Sequence, residues 1–295
     1  MAGRWRFGAR ETAGVAAVIA VAAVVAVVTV FAWQHGNPGA TTGTPAPVPT
    51  FTLGVQTPSP TPTPEAASVS SPGADERFLS VDTDAMWRAT AGRCDDGGGS
   101  VERSLDGGAT WTAVTPGDRD VRRVQAVDAF GGDDADVIVA TGGDCAPQGL
   151  RTYSGGEFWE QQDQVFVTSR FVERGDGAAT VGPIEAPCAA PWSLRNTGDT
   201  LALVCDGTAS VYTGGGWSPL PVESALAVAL DGQSAIVASR TGDCAGVTVS
   251  RVDSPGAAPS AIGCAETDAA GPVAVDDAPG GGAMVWVGDA VIPVG

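Results

Sequence analysis

The 295-residue sequence predicts an all-β globular region over residues 75–295, set behind one membrane-spanning helix and a Pro/Thr-rich linker. Three observations carry that expectation. An uncharged run of 22 residues, Thr12 to Trp33, lies near the N-terminus. A proline-dense stretch without apolar periodicity follows it. Beyond that, short apolar runs alternate with Gly, Asp and Asn clusters, and no helical period of useful length appears after residue 34.

At ~1.5 Å rise per residue the Thr12–Trp33 run makes about 33 Å of helix, enough for a hydrocarbon core of about 30 Å. Arg4, Arg6 and Arg10 precede it and no basic residue follows until Arg77. The positive-inside rule therefore places residues 1–11 in the cytoplasm and the C-terminal region outside. A cleaved signal peptide would show a shorter apolar region and a small-x-small site, and neither is present. Residues 34–74 carry nine prolines and many Thr and Ser, a composition that favours extended polyproline II and disorder over a packed core. The segment reads as a spacer.

Composition narrows the chemistry. The chain has 16 basic and 34 acidic side chains, and every basic one is Arg. Setting aside three arginines and two acids before residue 75 leaves 13 against 32, a formal charge of −19 for the globular region. Such a surface repels nucleic acid and anionic headgroups. The single histidine, His35, lies in the linker. Ser-His-Asp and Cys-His catalysis, a His-ligated metal and a catalytic Lys are thus excluded from the globular region. No cofactor and no metal site are expected.

Runs such as Asp136 to Ala140, Leu201 to Val204, Ser234 to Ala238 and Met284 to Val287 have strand length. Many such strands at regular spacing imply a sandwich, a barrel or a propeller. One octapeptide separates these. Ser104-Leu105-Asp106-Gly107-Gly108-Ala109-Thr110-Trp111 fits S-x-D-x-G-x-T-W at each defined position. It resembles the Asp-box, or BNR repeat, of sialidase, sortilin and photosystem-II-assembly-factor propellers, here in a bacterial, membrane-anchored form. The resemblance implies a β-propeller, with Asp106 capping turn amides, Gly108 supplying the turn, and Trp111 wedged between blades alongside Ser104 and Thr110.

Weaker copies follow in the same register. Thr152, Ser154, Gly156 and Trp159 form one, with Ser154 in place of the Asp; Thr213, Gly215 and Trp217 form another, one residue shorter. A final copy, from Pro272 to Val294, ends without a fourth strand. Five units in 221 residues give about 44 each, close to the ~40–50 of propeller repeats. The expectation is a small propeller of about five blades.

All six cysteines, Cys94, Cys145, Cys188, Cys205, Cys244 and Cys264, fall in the region expected outside the membrane and form no C-x-x-C pair. They read as three disulfides, for which fifteen pairings exist. Placement after second strands or before first strands favours Cys188–Cys205, Cys244–Cys264 and Cys94–Cys145; Cys145–Cys188 is an alternative.

Catalysis would have to use carboxylates, Arg and Tyr. The sialidase resemblance carries over no active-site residue: the R-I-P motif is missing, and both tyrosines, Tyr153 and Tyr212, sit inside turn copies. Dense carboxylates occur at Asp82 with Asp84, at Asp95 with Asp96, and at Asp133, Asp134 and Asp136. Each reads first as a solvated hairpin turn. Trp192, following Cys188-Ala189-Ala190-Pro191 in a connection, is a possible ligand contact or is covered by the adjacent disulfide. The expected role is a non-catalytic binding or scaffold module for a cell-envelope protein or glycan. The alternatives are a glycoside hydrolase using paired carboxylates and an assembly factor for a membrane complex.

Overall fold

In the computed structural model, the described residues are Ala26, Val30 and residues 69–173, 179–241 and 244–295. Thr63–Gly295 forms one compact unit, separate from Met1–Pro62. The span expected over 12–33 lies outside the described residues except for Ala26 and Val30, both helical. Among the described residues no helix is long and apolar enough to cross a membrane.

Short strands bounded by glycine turns build six antiparallel sheets, each formed by consecutive strands. Blade 1 comprises β1 (Arg77–Val81), β2 (Met86–Thr90), β3 (Ser100–Ser104) and β4 (Thr112–Ala113). Blade 2 comprises β5 (Val121–Ala129), β6 (Ala135–Thr141), β7 (Ala146–Thr152) and β8 (Glu160–Gln161). A short helix, α1 (Asp163–Thr168), leads into blade 3: β9 (Val172–Glu173), β10 (Thr180–Val181) and β11 (Ile184–Glu185). Blade 4 is β12 (Trp192–Thr197), β13 (Thr200–Cys205), β14 (Thr208–Tyr212) and β15 (Trp217–Pro219). Blade 5 is β16 (Ala225–Asp231), β17 (Ser234–Ser239), β18 (Gly246–Val252) and β19 (Ser260–Glu266). Blade 6 is three-stranded: β20 (Val273–Ala278), β21 (Gly282–Val287) and β22 (Ala290–Val294).

The molecule is a β-propeller of six blades, which corrects the expected five. Blade 3 escaped the sequence pattern because each of its strands is two residues long. A strand signal needs about four alternating residues. Six-residue α1 is likewise too short to show a helical period. It is seated where Gly149 leaves room: a Cβ there would stand 2.4 Å from the Phe166 amide nitrogen.

First strands of successive blades line the axis and bind one another. Ala129 N donates to Ser80 Oγ at 2.9 Å, joining β5 to β1. Gln125 Nε2 donates to the Val172 carbonyl, joining β5 to β9. The Val228 amide donates to Ser193 Oγ at 3.0 Å, joining β16 to β12. The Val81 amide closes the circle by donating to Asp276 Oδ2 of β20 at 2.8 Å.

Apolar second and third strands fill the gaps between blades. Trp87, fully buried, meets Trp159 edge-on at 6.1 Å between blades 1 and 2. Ile236 and Ala238 of β17, Val249 of β18 and Val285 of β21 share the cluster between blades 5 and 6, with Ala227 and Val275 of the first strands. Packing begins before residue 75: Val69 lies against Gly207, whose missing side chain makes the space.

Three disulfides form: Cys94–Cys145 between blades 1 and 2, Cys188–Cys205 between the connection into blade 4 and β13, and Cys244–Cys264 within blade 5. No described cysteine is free. Each closes a loop whose entropy contributes about 2–4 kcal/mol.

Trp159→Ala removes a buried ring and its indole hydrogen bond, and is expected to cost about 3–5 kcal/mol in urea unfolding. Trp111, only half-buried, is expected to cost less. Equal losses for the two variants would contradict this packing.

Candidate functional site

The turns between third and fourth strands are self-contained devices. Ser104 Oγ accepts the Gly108 amide at 2.9 Å, and Asp106 Oδ1 accepts the Thr110 amide at 2.8 Å. Thr110 Oγ1 donates to Asp106 Oδ2 at 2.6 Å. Gly107 and Gly108 take positive φ, which a side chain would resist. These bonds, led by the Thr110 hydroxyl, lower the Asp106 pKa to about 2. Trp111 Nε1 donates to the Gly108 carbonyl at 3.0 Å, and its ring packs beside Met86 and Val291 of blade 6.

Blade 2 repeats the arrangement with other atoms. Thr152 Oγ1 accepts the Gly156 amide at 3.0 Å, and Ser154 Oγ accepts the Phe158 amide at 3.0 Å. Trp159 Nε1 crosses to the Val114 carbonyl of blade 1 at 2.8 Å. In blade 4, the turn holding Thr213 and Gly215 ends at Trp217, whose Nε1 reaches the Glu185 carbonyl of blade 3 at 2.8 Å. These residues are structural.

The carboxylate clusters read from the sequence occupy separate turns. Asp82 Oδ1 accepts the Thr83 amide, and Asp95 and Asp96 are exposed between β2 and β3. Asp133 pairs with Arg103 at 2.5 Å and Asp136 with Arg151 at 2.6 Å, so two members of the third cluster face different arginines.

A different set meets at the axis. Arg195, from β12, spans the opening and donates through Nη2 to the Leu79 carbonyl of β1 and, at 3.4 Å, to the Val275 carbonyl of β20. Asp276 and Asp128 lie within its field. Asp276 is half-buried, but the surrounding blades strip most of its water; this burial outweighs the attraction of Arg195 and pushes its pKa up to about 7. Burial also raises Asp128. Beside them is a cavity of about 150 Å³, lined by Asp128, Asp136, Arg170, Arg195 and Asn196 among others. Sequence reasoning missed Asp128, Arg195 and Asp276. Their signal was position: each carboxylate directly follows apolar residues inside a first strand, Ala126-Val127-Asp128 in β5 and Val273-Ala274-Val275-Asp276 in β20.

A second depression, about 310 Å³, lies between the turns of blades 1 and 2 and is lined by Leu105, Asp106, Thr110, Val114, Ser154 and Glu157, with Arg103 at its wall. Leu105, 67% exposed, stands at it; Tyr153 and Phe158, 59 and 76% exposed, belong to the flanking turn of blade 2. Trp192, by contrast, is 2% exposed and donates Nε1 to the Leu226 carbonyl at 2.8 Å. As the opening residue of β12 it packs between blades 4 and 5, which removes it as a ligand contact.

No protein-family model matches the chain, and no curated protein matches it. Among solved structures it is similar to YCF48 bound to D1 peptide, at 15% identity and a TM-score of 0.29 over 75% of this chain and 63% of that one. It is similar to a GH43_1 enzyme from Xanthomonas citri at 13% identity and TM-score 0.37, covering 75% of this chain and 84% of that one. The Aleuria aurantia lectin gives 9% identity and TM-score 0.41, covering 72% of this chain and 86% of that one. The chain thus spans less than two thirds of YCF48. Likeness at this level bears on neither ligand nor activity.

Asp276 gives a pH prediction. Its pKa in the fold, about 7, lies above the ordinary 3.8, so the folded state keeps a proton that the unfolded chain releases. The stability this contributes is complete below about pH 4 and is lost as pH rises to about 7. Relative to wild type, Asp276→Asn should therefore gain on the order of a few kcal/mol between pH 4 and 8 in denaturant titrations. Parallel stability curves for the two proteins would contradict the assignment.

Proposed function

We propose that this chain is a non-catalytic binding or scaffold module of the cell envelope, tethered through residues 12–33 with the propeller outside. The carrying observation is the state of the axis. Arg195 bridges it, Asp276 accepts the Val81 amide, and Asp136 is held by Arg151, so these groups already have protein partners. The cavity beside them, about 150 Å³, is below the roughly 300–1,000 Å³ of small-molecule sites. Three disulfides support an oxidising compartment. Association with a membrane complex, as an assembly factor, is a form of the same reading, and the acidic surface favours basic partners there.

One observation favours hydrolysis of glycans instead. A carboxyl with a pKa near 7, within the field of Asp128, which with Asp136 lines the neighbouring cavity, has the proton a general acid needs. The two readings separate on turnover. The full-length chain, incubated with chromogenic glycosides and purified envelope polysaccharides, is expected to release no product above the Asp276→Asn variant. Release that Asp276→Asn abolishes, with the variant still folded, would replace binding by hydrolysis. The topology has its own check: the mature N-terminus should retain Arg4 to Arg10, and a start beyond Trp33 would contradict the tether.

A further inference from the structure

Four of the large apolar side chains exposed among the described residues share one place in the fold. Leu105 and Phe158 stand in the turns after β3 and β7; Tyr153 opens the second of these turns, and Phe130 closes β5 beside it. The Phe130 and Tyr153 rings meet edge-on at 6.2 Å, and the Arg151 guanidinium lies over Phe130 at 4.8 Å. Between the two turns runs the depression of about 310 Å³.

The turns do not need these side chains. In blade 1 Thr110 gives Asp106 a hydroxyl bond of 2.6 Å; in blade 2 Phe158 occupies that place and gives only its amide. Leu105 and Tyr153 hold matching positions, forced outward because their neighbours on either side turn in to bind amides. A polar residue would serve the turn equally at Leu105 and Phe158, whereas Tyr153 also accepts from Arg151 Nη1 at 3.2 Å. Turn stability therefore leaves Leu105 and Phe158 unexplained, and large apolar side chains exposed around one depression mark interaction.

Charge selects the occupant. Both arginines of the patch are spent: Arg103 on Asp133 and the Gly132 carbonyl, Arg151 on Asp136. Asp106 and Glu157, at the depression itself, have no cationic partner among the described residues. A ligand there meets apolar side chains edged by uncompensated negative charge, on a domain of formal charge −19. Acidic segments are repelled, and the uncompensated carboxylates favour a cationic ligand over a neutral one.

We infer that the depression between blades 1 and 2 binds an extended peptide segment of a partner protein in which Arg or Lys alternates with large apolar residues. The inference rests on the non-catalytic binding reading. Apolar side chains of the segment seat on Leu105 and Val114 in the depression and extend to Phe158, next in the chain to Glu157, and its cations face Glu157 and Asp106.

The test uses fluorescence anisotropy with the full-length chain at about 0.15 M salt. The probe is a labelled octapeptide, Arg-Leu-Arg-Phe-Arg-Leu-Arg-Phe, and the comparison replaces each Arg by Glu. Leu105→Ser and Phe158→Ser, which change no charge, should each weaken binding about tenfold, and Glu157→Gln about threefold. Asp253→Asn, in the corresponding turn of blade 5, should leave it unchanged. The Glu peptide should not bind. Equal affinity for all variants means diffuse attraction by an acidic protein and overturns the site. Displacement of the probe by a neutral oligosaccharide, sensitive to the same variants, overturns the ligand class. If the peptide fails and no glycan is turned over, the binding reading stands without this site; glycan turnover removes both.

Discussion

Six small sheets arranged in a ring share no extended strand ladder across their gaps among the described residues. A few backbone bonds cross, such as the Val124 amide to the Ala91 carbonyl at 2.7 Å, and the rest of the closure falls to side chains. At the centre that constraint falls on Arg195. Its guanidinium ties β12 to the backbones of β1 and β20, strands that lie across the axis and 80 or more residues away in sequence. An arginine suits the task because its planar fork presents several donors and keeps its charge when partly buried. Around it the axis becomes a place of committed polar groups, with Asp276 bound to the Val81 amide and Asp128 raised by burial.

Farther out, indoles take over the same work. Trp159, Trp192 and Trp217 each send an N–H to a carbonyl of a neighbouring blade, at 2.8 Å in all three cases. Each side chain combines a large apolar area with one directional bond, fixing both the spacing and the register of adjoining sheets. Blade 6, without a fourth strand, is covered differently: Trp111 of blade 1 packs beside Val291 of β22, and the guanidinium groups of Arg77 and Arg88 lie over Trp286.

These features differ in how far the sequence discloses them. The Ser104–Trp111 turn is local, so its residues and bonds follow from one octapeptide, and the paler copy at Thr152–Trp159 follows from alignment with it. The disulfides were legible because cysteines recur at equivalent places in a repeat. Blade 3 was not, since two-residue strands carry no alternation, and the repeat count fell one short. Trp192 looked like a loop residue because the chain before it lacks strand character; as the first residue of β12 it is core. The axial cluster was hidden for another reason: Asp128, Arg195 and Asp276 come from three blades and only the closed ring brings them together.

The ring depends on its axis as a structural closure. Amide hydrogen exchange on the full-length chain, wild type against Arg195→Met, tests that most directly. Loss of the bridge should speed exchange together in β1, β12 and β20, the three first strands that Arg195 joins, while the outer turns of blades 1 and 2 keep their protection. Unchanged exchange in those strands would contradict the account, and would leave Arg195 and its carboxylates free to serve a ligand in the channel.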